Sequence, residues 1–140
     1  MIKVNDLKIG NWFIDNEGAY CNKGDIVKVI NISEYGVNEY HDMGASGRCH
    51  FEMAEPIILT KEWLLKFGFS EYIRGGRDIV FQRLAGSFYS VIFESNKISF
   101  TNNVQFIMLQ HIKFVHQLQN LFFCITGEEL LKVDFMQEKY

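Results

Sequence analysis

Hydrophobic and polar positions change their spacing twice along this chain, and the changes divide it into a strand-rich opening, a short helix, a second strand-rich run and a closing helix. From Leu7 to Ile14 (LKIGNWFI) apolar residues alternate loosely and stop at Asp15-Asn16-Glu17-Gly18, a cluster with turn chemistry, which predicts a strand and a turn. After a second turn signal at Asn22-Lys23-Gly24-Asp25, the β-branched run Ile26 to Ile32 predicts a strand with at least one buried face. Tyr35 to Tyr40 reads as its return limb. Cys49 to Leu59 alternates again until Pro56, which has no N–H for a sheet ladder and so predicts an edge strand or a break. Short strands joined by tight glycine turns suggest a small curled antiparallel sheet of the SH3-like kind over residues 1–59.

Thr60 to Gly68 (TKEWLLKFG) has Thr60 as a helix N-cap, Glu62 in the first turn and Gly68 as the stop, with Trp63, Leu64 and Phe67 on one face. This is a linking helix. From Phe69 the pattern becomes a meander, with strands at Asp78–Leu84, Ser87–Glu94, Lys97–Thr101 and Val104–Leu109 separated by Ala85-Gly86, Ser95-Asn96 and Asn102-Asn103. Apolar residues then recur at helical intervals from Gln110 to Thr126, on a face broad enough to need covering from more than one side. Gly127 marks the helix end. Thr126 with Glu129 forms a capping-box pattern that could start a second helix over 128–132, and 133–140 is expected to fray or add an edge. The expected fold is α+β, with regions 1–59 and 60–140 forming one compact domain: a curled sheet, a linking helix and an antiparallel meander packed by one long helix.

Composition narrows the functions. The 140 residues carry 13 phenylalanines and one proline, enough apolar material for a self-sufficient core. A net charge of −3 with Lys and Arg scattered singly gives no basic stripe and argues against DNA or RNA as partner. No secretion signal or apolar span of membrane length occurs, which predicts a cytoplasmic protein without membrane contact. Cys21, Cys49 and Cys124 are odd in number and widely spaced, as free thiols are, and Cys124 reads as a small core residue. Cys21, His41, Cys49 and His50 lack the close pairs typical of zinc sites, so neither metal nor cofactor is expected.

Candidate chemistry is sparse. His111 and His116 fall about 140° apart on a helix and cannot share one face as a metal pair. Gln117 and Asn120 read as solvent-facing, whereas Gln119 shares the strip of Val115 and Phe122 and is a candidate to line a polar-ligand pocket. The loop His41 to Arg48 has the small residues, the Ser46 hydroxyl and the Arg48 fork of an anion nest, without P-loop spacing. Arg74 and Arg77 flank a Gly-Gly turn that could meet acidic groups, with Tyr72 near for stacking. No nucleophile signature is present, so no catalytic residue is assigned.

The segment Ile112–Phe123 (IKFVHQLQNLFF), followed by Ile125–Leu130 (ITGEEL), resembles the closing signature of small uncharacterised proteins encoded in phages, prophages and mobile elements of gut bacteria. Leu7–Trp12 (LKIGNW) and Pro56–Phe69 (PIILTKEWLLKFGF) resemble the same family's other landmarks. The resemblance brings no activity or residue roles, but it implies an accessory protein acting in a bacterial cytoplasm. The expectation is therefore a non-enzymatic binding module that inhibits a host protein or sequesters a small anionic ligand. The alternatives are an oligomeric virion-associated subunit and an enzyme acting on a nucleotide or phosphoester.

Overall fold

The computed structural model describes residues 6–18, 22–33, 35–40, 46–76, 78–85, 89–102 and 105–132. The fold is α+β, with two five-stranded antiparallel sheets and two α-helices among the described residues. Contacts divide the chain into two compact units, one formed by Met1–Ile58 with Phe114–Asn120 and the other by Leu59–Lys113 with Leu121–Tyr140. The closing helix therefore contributes its first half to one unit and its second half to the other.

In the first unit, β1 (Trp12–Asp15), β2 (Asp25–Ile32), β3 (Gly36–Tyr40), β4 (Ser46–His50) and β5 (Ala54–Glu55) form a curled sheet in the order β4-β3-β2-β1-β5. Its curl has a local cause. Val29 pairs with Glu39 but Asn31 pairs with Asn38, so Ile30 is an extra residue in β2, and such a bulge bends and twists its strand. The concave side holds Leu7, Phe13, Val27, Val29, Val37, Cys49 and Ala54.

Two expectations for this unit are corrected. Leu7–Asn11 is not strand: the Lys8 N–H donates to Asn11 Oδ1 and the Asn11 N–H to the Lys8 carbonyl, closing a turn in which Gly10 takes φ 96°. The segment from Cys49 to Leu59 is also not one strand. A 3-10 turn at Phe51–Met53 separates β4 from the edge strand β5, which ends at Pro56, where the missing N–H stops the ladder.

The second unit holds α1 (Lys61–Lys66) and β6 (Ser70–Arg74), β7 (Asp78–Ala85), β8 (Tyr89–Glu94), β9 (Lys97–Thr101) and β10 (Phe106–Leu109) in consecutive order. Gly68, at φ 85°, ends α1 in a Schellman motif, with its N–H on the Leu65 carbonyl and that of Phe69 on the Leu64 carbonyl. The Thr60 hydroxyl does not cap the backbone. It bonds the Glu62 carboxylate, which together with the Glu62 backbone N–H holds that carboxyl below its usual range. The β8–β9 turn, with positive φ at both Ser95 and Asn96, is the tight kind that hairpins prefer. Arg83, which no sequence motif marks, donates from Nη1 to the Phe67 carbonyl and lies 5.0 Å above the Phe122 ring.

The closing helix, α2, covers Val115–Thr126 and starts about one turn later than its periodicity predicts. Phe114 instead bridges antiparallel to Ile58, and the Val115 N–H donates to the Ile57 carbonyl. Gln117 reaches back so that its Oε1 accepts from the Phe114 N–H, the reciprocal half of a capping box. At the other end the Gly127 N–H closes on the Phe123 carbonyl, and the Thr126 hydroxyl is occupied by the Phe122 carbonyl and the Glu128 N–H. No helix follows over 128–132. Cys124 is exposed, contrary to its expected core position, because two residues after buried Phe122 the helix has turned about 200°. Among the described residues no helix is long and apolar enough to cross a membrane.

Candidate functional site

Strands β3 and β4 sort their residues by alternation, since side chains along a strand point to opposite faces in turn. In register, Val37 pairs with Cys49, Asn38 with Arg48 and Gly36 with His50. Val37, Glu39 and Cys49 are buried, whereas Arg48 and His50 are exposed.

The buried face carries an unusual polar cluster. The carboxyl oxygens of Asp15 and Glu39 and the Cys49 Sγ all lie within 4.8 Å of one another, and the three residues are 0%, 0% and 1% exposed. Dehydration disfavours charge on Glu39, the Asp15 carboxylate accepts its proton in a hydrogen bond, and the charges of Asp15, Glu17 and Asp25 add to the effect, pushing the Glu39 carboxyl up to about 9. At neutral pH Glu39 is a carboxylic acid and donor. Burial first, and then the charge of Asp15, push the Cys49 thiol beyond its ordinary range as well; its Sγ–H donates to the His50 carbonyl at 3.4 Å. The three donors could converge on a cation only by giving up these protons.

Asp15 has a second task. Its Oδ1 accepts the N–H groups of Glu17 at 2.8 Å and Gly18 at 3.2 Å, and its carbonyl accepts that of Gly24 at 2.7 Å. This fixes the turn that carries Glu17, whose Oε1 pairs with His50 Nδ1. The pairing favours the imidazolium and holds His50 above the usual histidine range, against a smaller opposing effect from Arg48.

Glu17 and His50 border a recess of about 450 Å³ formed with the β2–β3 connection and with β3 and β4, to which Val37 and Cys49 also contribute. Ser33, Tyr35, Gly36, Asn38 and Arg48 contribute to its wall. The connection is tight: the Ser33 N–H donates to the Gly36 carbonyl at 2.8 Å, and the Ser33 hydroxyl donates to the same carbonyl at 3.1 Å. Gly36 is required by space, since a Cβ there would sit 2.2 Å from the Cys49 carbonyl oxygen. The recess thus offers a guanidinium fork, an imidazole whose charged form Glu17 favours, amide and hydroxyl groups and an aromatic ring, in a volume typical of small-ligand sites.

Of the residues singled out from sequence, Arg48 lines this recess. Ser46 opens β4 opposite Tyr40, Arg74 closes β6 opposite Asp78, and Arg77 lies outside the described residues, as do Cys21 and His41. The turn between β6 and β7 is a hairpin tip with Gly75 and Gly76 both at positive φ. Gln119 is committed elsewhere: its Oε1 accepts from the Trp12 N–H and its Nε2 donates to the Gly10 carbonyl, both at 2.9 Å. Asn120, expected to face solvent, donates to the Asp6 carbonyl and accepts from the Asn11 amide.

Sequence spacing gives His50 no place in a zinc site, and it does not single out Asp15, Glu17 or Glu39 as site residues. Strand alternation was the signal available for the inward pair: Asp15 is two residues from Phe13, and Glu39 two from Val37, so each acid shares its neighbour's core-facing side. Comparison with known proteins yields no matching family model, no matching curated relative and no matching solved structure.

Proposed function

We propose that the protein is a non-enzymatic binding module that takes a small anionic ligand, a carboxylate or phosphate, in the recess beside β4. The observation that carries this reading is the placing of Arg48 and His50 on one side of β4 at the wall of a 450 Å³ recess, with Glu17 favouring the charged form of His50. A guanidinium recognises a planar or tetrahedral anion through two parallel hydrogen bonds, and the imidazolium adds a third donor and charge. Tyr35, 74% exposed at the rim, is placed to cover an apolar part of the ligand. The resemblance of the chain to phage and prophage proteins supports an accessory role in a bacterial cytoplasm, such as sequestering an anionic metabolite or signal.

The test is NMR titration of the labelled protein with inorganic phosphate and, separately, citrate at pH 6.5. Saturable shifts at the Arg48 side chain and the His50 ring, lost in R48A, are expected. Binding that survives R48A unchanged, or no saturable shift with either anion, overturns the reading.

A second reading, a protein partner, draws on β10. Among the described residues it is an edge strand, and Phe106, Ile107 and Met108 in it are 59%, 46% and 44% exposed, which leaves apolar side chains beside a ladder with no further described strand. It predicts that F106D abolishes capture of such a partner and leaves anion titrations unchanged.

A further inference from the structure

The buried cluster and the recess adjoin at β3 and β4: Cys49 belongs to the cluster and borders the recess, and Asp15 reaches the recess through the turn that carries Glu17. The Asp15 carboxylate accepts a hydrogen bond from the Glu39 carboxyl and, through Oδ1, from the N–H groups of Glu17 and Gly18. Glu17 in turn pairs with His50 at the recess wall. The sequence of contacts is therefore Glu39 to Asp15, Asp15 to the Glu17–Gly18 turn, and Glu17 to His50, all within the first unit.

We infer that Asp15 and Glu39 form a proton-held latch that positions Glu17 against His50, so that removing the proton they share releases the turn and disarms the recess. The inference rests on the recess being the binding site, and it adds regulation to that site. Asp15 and Glu39 act as positioning residues, because each works on the ligand groups through Glu17.

The electrostatic logic is local. With the proton present, the pair carries one negative charge, and that charge is spent on two backbone N–H groups and one carboxylic acid donor. Without it, two carboxylates face each other inside a dehydrated core, and neighbouring charged groups raise the cost of ionising Glu39 further. Those groups are Asp15 from β1, Glu17 from the following turn and Asp25 from β2, and the Cys49 thiol adds a proton-bearing neighbour from β4. Like charges at this separation cannot both persist without water or rotation of a side chain. Asp15 is the member that can move only by releasing its turn. A purely structural role for the acids accounts for their hydrogen bond but gives Asp15 no reason to affect the titration of an exposed histidine.

The experiment follows the His50 ring and the Glu17 and Gly18 amides by NMR across pH 5 to 10 in wild type, D15A and E39Q. In wild type the two turn amides should show an alkaline transition centred near pH 9. E39Q keeps a donor toward Asp15 but has no proton to lose, so the transition should vanish while His50 keeps its elevated titration. In D15A the His50 titration should move down toward that of an unpaired histidine. A wild type with no alkaline transition, an E39Q protein that retains it, or a folded D15A protein with unchanged His50 titration each overturns the latch. Should D15A fail to fold, the E39Q comparison decides alone. Phosphate titration of wild type is scored separately: no phosphate binding with an intact latch signature rejects the recess and leaves the coupling standing.

Discussion

Gln119 completes the backbone of residues 10–12 as a neighbouring strand would: its side-chain amide accepts from the Trp12 N–H and donates to the Gly10 carbonyl. Both bonds are buried, and they lie just before the two residues of β1, Ile14 and Asp15, that pair with β5, so Gln119 satisfies groups the short edge strand does not reach. Gln119→Ala leaves a buried donor and a buried acceptor open, and at about 1–3 kcal/mol for each unsatisfied group the loss should be roughly 2–6 kcal/mol. Urea denaturation checks it. Asn120→Ala, at a partly exposed position, should cost only about 0.5–1.5 kcal/mol.

Glu39 makes stability fall as pH rises. The folded protein holds its proton up to about pH 9, whereas the unfolded chain releases it near the ordinary carboxyl value of 4.5. Between those values the folded state binds more protons, so raising pH favours unfolding by up to about 1.4 kcal/mol per unit, and above about 9 this contribution stops growing. E39Q should flatten the slope over that window. The comparison of wild type and E39Q by denaturant melts at pH 5, 7 and 9 isolates this residue from the others.

His116 acts on the acid side with the opposite sign. It is 2% exposed, stacks on Phe114 at 6.0 Å, and its Nδ1 is buried without a hydrogen bond among the described residues. Burial lowers its titration below the ordinary 6.5, and the Asp6 charge offsets only part of that. A neutral buried histidine contributes fully above that ordinary value, and the contribution is lost as pH falls below it toward the folded value, because only the unfolded chain gains the proton there. His116→Leu should remove this acid sensitivity and be neutral or stabilising at pH 7, since it replaces an unsatisfied polar atom with an apolar group of similar size. Melts at pH 5 and 7 read both effects.

How much of this was legible in the sequence depends on whether the cue was local. Gly68, Gly127, Ser95-Asn96 and Gly75-Gly76 end or turn their elements where expected, because a positive φ is a property of a single residue and its neighbours. Pro56 likewise marks the end of the edge strand. The start of α2 was misplaced because residues 110–114 share the helix's apolar spacing, yet Phe114 pairs with Ile58, a partner 56 positions away that no window along the chain contains. The same limit hid the candidate site. Asp15 and Glu39 each look like ordinary turn or strand acids, and only the curl of the sheet around the Ile30 bulge brings them together. Arg48 was visible as a fork-like donor beside a glycine loop, but His50 became relevant only through Glu17, which lies 33 residues earlier. Gln119 stood out as a candidate pocket amide because it interrupts an apolar strip; its partners are backbone groups of residues 10 and 12, too far along the chain for any local pattern to reveal.

Gly36 ties the stability of the β3–β4 pair to the recess. A methyl group on its Cα would lie 2.2 Å from the Cys49 carbonyl oxygen, and backbone on both sides leaves no flexible side-chain end to yield. Relief must come from separating Gly36 from its partner His50 in the ladder, which also displaces Cys49 and the Tyr35 carbonyl that accepts the Phe51 N–H. Gly36→Ala should therefore cost about 1–3 kcal/mol, as overpacked sites do. It should also weaken anion binding more than a remote substitution of equal cost, because His50 moves with the strand. A suitable control is Asn120→Ala, whose partners are Asp6 and Asn11 and not the recess. Matched phosphate titrations of the two variants check the prediction: equal affinity in both would show that the geometry around Gly36 matters for folding alone.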